Sequence, residues 1–308
     1  MSDAMKVALG KLVAREDLGR DEMAAVFREL MQGACDPAQI GALLMGLAQK
    51  GETMEELAGA ATAMREAVVH VPTTRAPVLD TCGTGGSGVA RRNVSTAVAI
   101  CVAACGVAVA KHGNRAASSR SGSADVLEVL GVRLDAPPAV VGRAIDEVGV
   151  GFLFAPALHP AMQHAMGPRR ALGVRTIFNL LGPLTNPAGA RRQLLGVYDP
   201  NRCQALAGAL GTLGSERVLV VHGFRAGVRA EPGAPAGIDD ASPEGETLVT
   251  QWHDGAPSSF VVRPQDAGLE PVPLEALAGE SPAENAEALL RLLEGEPGPY
   301  RTAVQLSG

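Results

Sequence analysis

Residues 78–104 read VLDTCGTGGSGVARRNVSTAVAICVAA, and the order of features in that stretch decides the fold. Val78-Leu79 is apolar and opens a short strand, residues 83–88 hold four glycines in six positions, and a helix is expected from about Ser95 to Ala104. A strand that turns through glycines into a helix is a building unit of α/β folds. The same turn brings free backbone N–H groups and a helix N-terminus to one place, where a phosphate can be held. Glycine suits it because a side chain would keep the ligand away from those N–H groups. A glycine turn alone is equally compatible with a plain connection, so the flanks carry the reading.

The flanks are basic. From Thr81 to Ala124 there is no Asp or Glu, while Arg91, Arg92, Lys111, Arg115 and Arg120 contribute five positive charges. In a chain of net charge −6, this predicts a local positive field suited to a polyanion. A second strand, expected at 107–110, runs into the connection KHGNRAASSRSG at 111–122. Lys, Asn, Arg and three hydroxyls crowded there can donate to phosphate or ribose oxygens. Gly83, Gly85 and Gly88 also satisfy GxGxxG. A dinucleotide would want an acid near the end of the second strand, where Lys111-His112 stand instead. That disfavours NAD and weakens NADP.

Upstream, the first 70 residues read as helices only. Met23, Val26, Phe27, Leu30 and Met31 follow one helix face to Gly33. Asp36-Pro37 supplies an N-cap and a first-position proline, and Thr53 with Glu56 a capping box for a helix through about Val68. Residues 70–77 are the linker candidate. Downstream, helices are expected at 126–130 and after Pro138, and buried strands at 152–154, 194–198 and 218–221. Their continuous apolar runs suit a sheet covered on both faces. Residues 224–236 have loop composition. The expected architecture is α/β: an N-terminal helical domain (1–70) and a larger α/β domain (78–308) with a mostly parallel central sheet.

With 46% hydrophobic and 19% charged residues the chain is an ordinary globular protein, and only 3% are aromatic, so aliphatic side chains must fill its core. The negative net charge argues against general binding to nucleic acid or to a membrane surface. Five cysteines (Cys35, Cys82, Cys101, Cys105, Cys203) form no CxxC pair, which suggests free thiols and a reducing compartment. Neither a signal-peptide pattern nor an apolar run of spanning length is present. The expected location is the cytoplasm.

Six segments together resemble a known family: DTCGTGG (80–86), NVSTA (93–97), KHGNRAASSRSGSAD (111–125), GFLFAPALHPAM (151–162), RTIFNLLGPLTNPA (175–188) and LLGVYDP (194–200). The chain is similar over nearly its whole length to the anthranilate phosphoribosyltransferases of tryptophan biosynthesis, whose wider family includes pyrimidine nucleoside phosphorylases. The resemblance implies transfer of a phosphoribosyl group from phosphoribosyl pyrophosphate to anthranilate, with magnesium, in a homodimer formed by the helical domain. It implies that Gly83, Thr84, Gly85 and Gly86, with Ser87 beside them, contact pyrophosphate and ribose. Asn93, Ser95 and Thr96 would hold phosphate, and Lys111, Ser118 and Ser119 the same substrate. Asn114 and Arg169 would bind anthranilate, Arg169 through the carboxylate, with Pro156, His159 and Met162 lining the acceptor's path. Magnesium would take Ser95, Asp239 and Asp240. Lys111 would stabilise the leaving group, and His112 is the nearest candidate for a base. On residue type alone, His112 or His159 reads as a satisfied structural histidine and Asp239-Asp240 as a turn.

The chain also departs from the family. Ser87 stands where members usually carry Asp, Arg92 where an aromatic is common, and Asp240 where the metal pair has Glu. The 224–236 loop is longer than usual, and the sequence stops at Gly308 where members continue into further helices. Inward-facing Arg91 and Arg92 would cover phosphate charge otherwise met by a second magnesium, so fewer metal ions are expected. A divergent paralog with another aromatic acceptor, a nucleoside phosphorylase, and an inactive or nucleic-acid-binding relative remain alternatives.

Overall fold

The computed structural model describes residues 2–116, 120–231, 233–234 and 237–308. The chain begins with α1 (Asp3–Val13), α2 (Arg20–Met31), α3 (Pro37–Lys50) and α4 (Met54–Glu66). The expected stripe of α2 is buried from Met23 to Met31. Asp36 accepts from the Ala38 N–H ahead of Pro37, and Thr53 and Glu56 close the capping box of α4.

The α/β part follows as β1 (Leu79–Gly83), α5 (Val94–Ala104), β2 (Val109–Gly113), α6 (Ser123–Val129), α7 (Pro138–Val148) and β3 (Val150–Phe154). It continues through α8 (Ala155–Leu158), α9 (Gln163–Leu172), α10 (Phe178–Leu181), β4 (Arg192–Gly196), α11 (Cys203–Thr212) and β5 (Arg217–Gly223). Then come β6 (Thr247–His253), β7 (Ala256–Val262), α12 (Pro282–Leu293) and α13 (Pro299–Ser307). The strands form one seven-stranded sheet in the order β3-β2-β1-β4-β5-β6-β7. The first five in that order are parallel, and β6 and β7 are antiparallel. The strand order reverses between β1 and β4, and a parallel sheet opens a crevice at the carboxyl ends of its strands at such a point.

Two elements differ from expectation. The second strand lies at Val109–Gly113, so Lys111 and His112 sit inside the sheet and not in the connection. Both polar side chains are tolerated there because fixed partners meet them: Lys111 Nζ donates to the Thr81 carbonyl at 2.6 Å, and His112 Nδ1 faces the Gly182 carbonyl at 3.2 Å. The β6–β7 hairpin was not foreseen, although Asp254-Gly255 between two strand-like runs is a strong hairpin signal. Both turn residues have positive φ, 53° and 80°.

Alternate residues of β1 face opposite layers. Thr81 donates to the Ser95 carbonyl of α5, whereas Cys82 joins the core with Leu195, Val218 and Val220. On the α5 side, Val94, Ala97 and Val98 pack with Leu289, Tyr300 and Val304 of α12 and α13. On the other side one continuous core runs from Phe27, Leu44 and Leu57 through Phe178 and Leu181 to Leu206 and Leu210. The N-terminal helices therefore share their core with α10 and α11, because an apolar helix face is stable only against another layer. Among the described residues no helix is long and apolar enough to cross a membrane.

Candidate active site

At the crevice, residues 237–242 form a strap across the carboxyl ends of β1, β4 and β5. Gly223 bridges Ile238 in the strap. A Cβ on Gly196 would collide with the Asp239 carbonyl, and one on Gly83, its neighbour in register, would come within 2.8 Å of Asp239 Oδ2. Strand-ending glycines thus let the strap lie directly on the sheet, which brings Asp239 and Asp240 to the glycine loop.

That loop is held in a left-handed course, with φ of 68° at Gly85 and 85° at Gly86. The Thr84 N–H donates to the Gly196 carbonyl at 2.9 Å, and the Gly85 N–H donates to Asp239 Oδ2 at 2.8 Å. Arg175 donates to the Gly86 carbonyl and lies 3.8 Å over the Tyr198 ring. Ser87 is half-buried.

Behind the loop, α5 begins with no side-chain cap and no acid in its first turn. The Val94 N–H is taken by the Arg92 carbonyl at 2.9 Å, and the next N–H groups with the positive end of the dipole are left for an anion. Thr96 Oγ1 is buried there without a hydrogen-bond partner among the described residues. Ser95 Oγ accepts from Lys111 Nζ at 3.3 Å. Asn93 is largely occupied within the protein: its amide donates to the Ser121 carbonyl and accepts from Asn285, and its carbonyl accepts from the Tyr300 hydroxyl.

Under β1 and β2, Lys111 is charge-coupled to Asp80, a fully buried carboxylate that sequence reasoning passed over. Asp80 accepts from the His112 N–H at 3.0 Å and the Asn186 amide at 2.9 Å. Burial pushes the Asp80 carboxyl up and the Lys111 ammonium down, and each holds the other in its charged form. The available signal was an acid within an otherwise apolar strand.

The basic stretch is not a free positive field. Arg91 Nη2 donates to Asp239 Oδ1 at 2.8 Å and to Asp240 Oδ2 at 3.0 Å. Burial opposes its charge, but Asp240 and Asp239 together leave it more firmly cationic than an ordinary arginine. Burial pushes Asp240 up to about 6, against the pull of Arg91. Arg115 is exposed and pairs with Asp125 and Glu128. Arg92 packs over the Tyr300 ring at 5.5 Å, so of the two neighbouring arginines only Arg91 reaches Asp239 and Asp240. Acids from outside the segment meet Arg91, Arg115 and Lys111, which reduces the expected excess of five charges.

The other end of the crevice carries His112 and His159, whose Nε2 atoms are 3.2 Å apart. Burial lowers His112 to about 3, helped by His159, and burial lowers His159 to about 4. Both rings are neutral near pH 7. His112 Nδ1 faces a carbonyl, which can only accept, so Nδ1 carries the proton and His112 Nε2 accepts from His159 Nε2–H. With both nitrogens engaged, His112 is not placed to take a proton from a substrate. His159 Nδ1 is the acceptor left over.

Arg169 lies over the Phe178 ring at 5.0 Å and is partly withdrawn from solvent. Among the described residues no carboxylate lies within 4 Å of it. Asn114 is exposed at the end of β2, its side-chain oxygen accepting from the Arg115 N–H at 2.7 Å. Pro156 is exposed on α8, and Met162 packs half-buried against the shared core. Ser118 and Ser119 lie outside the described residues. Direct bonds thus join the loop and Arg91 to the Asp pair, Lys111 to Ser95 and Thr81, and the two histidines to each other, with Arg169 standing apart from all three.

Two family models divide the chain between them. Residues 6–68 match the helical bundle domain of a glycosyl transferase family, and residues 75–308 match its a/b domain. The anthranilate phosphoribosyltransferase of Myxococcus xanthus is 51% identical over 304 residues, 98% of this chain and 87% of that protein. The chain belongs to the anthranilate phosphoribosyltransferase family. The crystal structure of the member from Thermus thermophilus superposes with a TM-score of 0.88 at 48% identity, covering 96% of this chain and 85% of that one. The Saccharomyces cerevisiae member, solved in complex with PRPP and Mg, superposes with a TM-score of 0.84 at 29% identity over 99% of this chain and 87% of that one.

Proposed function

We propose that this family member transfers the 5-phosphoribosyl group of phosphoribosyl pyrophosphate to the amine of anthranilate, a step of tryptophan biosynthesis. The observation that carries the acceptor is Arg169, a partly desolvated guanidinium on an aromatic face with no carboxylate within 4 Å among the described residues. A planar carboxylate on an aromatic ring is the natural complement of such a site. At the opposite end, the Gly85 N–H, the uncapped start of α5 and the buried Thr96 hydroxyl suit a pyrophosphate.

In the reaction the anomeric C–O bond to pyrophosphate breaks and a C–N bond to the amine forms. The amine then loses its proton to water or to pyrophosphate. Negative charge grows on the leaving group, so the loop N–H groups and Lys111, whose third N–H is not used by Thr81 or Ser95, stabilise the transition state more than the ground state. Arg169 and Asn114 orient the acceptor. His112 fixes the tautomer of His159, and both stay uncharged beside the amine, with Pro156 and Met162 along the acceptor's path.

The strap residues fit magnesium held jointly with substrate. Asp239, Asp240 and the Ser95 hydroxyl, the proposed ligands, offer only oxygens, and among the described residues no cluster of three His, Cys, Asp or Glu could cage a metal alone. Mg²⁺ is commonly held by one or two carboxylates, waters and substrate phosphates. When bound it neutralises charge on the leaving pyrophosphate. A homodimer through α1 and α3 is part of the proposal, supported by the exposed apolar Val7, Val13 and Met45 and testable by light scattering. The five unpaired cysteines suit the cytoplasm.

The test is the loss of anthranilate fluorescence with phosphoribosyl pyrophosphate and magnesium. A decay that requires all three components is expected. No decay, with phosphorolysis of a pyrimidine nucleoside instead, would overturn the assignment.

A further inference from the structure

We infer that Arg91 is a resident cation of the phosphate end: it holds Asp239 and Asp240 until pyrophosphate draws its guanidinium away and frees both carboxylates for a divalent cation. The inference rests on the polyanion site proposed above and concerns how that site is occupied before its ligands arrive.

All the bonds of this guanidinium fall on one nitrogen. Nη2 serves both carboxylates, whereas Nε and Nη1 are buried without any hydrogen-bond partner among the described residues. Buried donors of a charged group are costly to leave unmet. The side chain is therefore held by the Asp pair but not satisfied by it. A pyrophosphate beside it offers several anionic oxygens to the unmet N–H groups.

Asp239 is in a matching position. Its Oδ2 accepts the Gly85 N–H, one of the loop donors that a phosphate would use. The carboxylate thus stands in for an anion, and the guanidinium stands in for a cation on the same carboxylates. The two incoming ligands exchange these partners together: pyrophosphate takes Arg91 and the Gly85 N–H, and the metal takes Asp239 and Asp240. Each ligand removes the competitor of the other, so each raises the other's affinity.

The exchange needs only side-chain rotation. The backbone of 90–92 is tied to 277–279 by the Arg92 N–H on the Leu277 carbonyl at 2.9 Å, the Gly279 N–H on the Ala90 carbonyl at 3.2 Å, and the Arg91–Ala278 bridge. Arg91 is 9% exposed in its side chain, as is Asp239, so solvent cannot easily replace either partner unaided.

The experiment is Mn²⁺ binding to the full chain, followed by electron paramagnetic resonance with no phosphate compound present. Arg91→Met and Arg91→Gln should bind Mn²⁺ at least ~10-fold more tightly than wild type, because a positive charge beside the ligands is gone. Equal affinities in wild type and a folded variant would overturn the inference. A second measurement needs no variant: metal-free pyrophosphate added to the wild-type protein should shift the Arg91 Nε–H resonance, and an unmoved resonance under saturating pyrophosphate also overturns it. Neither measurement involves anthranilate. A chain that passes both and fails to transfer sinks only the proposed function, and one that transfers with equal Mn²⁺ affinities sinks only the role of Arg91.

Discussion

The phosphate end and the acceptor end proposed above treat arginine in opposite ways. Arg91 comes from a stretch of sequence without acids yet is clasped by two carboxylates from almost 150 positions later. Arg169 sits beside another arginine on α9 and meets no carboxylate within 4 Å among the described residues, lying on the Phe178 ring instead. Charge in a sequence window is therefore a poor guide to charge in a site. What separates the two is the strap, which crosses three strand ends and supplies acids to the phosphate end only. One end is internally balanced and must exchange partners; the other waits with its charge unmet.

The largest effect is expected where the charge is unmet. Arg169→Ala should raise the KM for anthranilate by ~10- to ~150-fold, since a charge-assisted pair there is worth about 1.5–3 kcal/mol. Binding of phosphoribosyl pyrophosphate should be nearly unchanged. Unaltered anthranilate kinetics would erase the contrast between the two arginines.

The strap can be disturbed from below. Gly196→Ala places a Cβ against the Asp239 carbonyl and should destabilise the fold by about 1–3 kcal/mol, with weaker binding of pyrophosphate plus magnesium. Gly41→Ala, where a Cβ meets nothing within 4 Å in α3, is the control and should leave that binding as it is. If calorimetry finds the same magnesium–pyrophosphate affinity in both variants, the strap does not set the phosphate end.

A smaller effect belongs to the histidine pair. The folded values of about 3 and about 4 lie below the ordinary 6.5. Below pH 6.5 the unfolded chain takes up protons that the folded chain refuses, so stability falls as pH drops toward about 4. Each histidine contributes at most about 1.4 kcal/mol per pH unit. Urea titrations of wild type between pH 6.5 and 5 should show a steeper loss than those of a His112→Asn, His159→Asn double variant, and parallel slopes would mean that the rings are not buried neutral.

The least change is expected from Arg115→Ala. Its partners Asp125 and Glu128 leave an exposed, internally balanced cluster, so pyrophosphate affinity should stay within about twofold. A loss comparable to that from Arg169 on its own ligand would restore the view that the basic stretch acts as one field.

Much of this was readable in the chain itself. The capping residues Asp36 and Thr53 are local devices, and they fix where α3 and α4 begin whatever surrounds them. The glycines at 83–88 are also local, because only that residue follows the left-handed course of the loop without strain. The apolar runs at 152–154 and 218–221 declared a covered sheet because a strand buried on both faces needs apolar residues on both sides. Asp254-Gly255 carried a local turn signal too, because both residues tolerate positive φ, although no hairpin was expected from it. The partners of the charged groups were not legible. Asp80 beneath Lys111, Arg175 on the glycine loop, Asp239 and Asp240 on Arg91, and the emptiness around Arg169 all depend on contacts between segments far apart in the chain. Local propensity acts over a few bonds and can be read in order along the sequence. Coulomb and hydrogen-bond partners are chosen by distance in space, and the crossing of the strap over β1, β4 and β5 decided those distances.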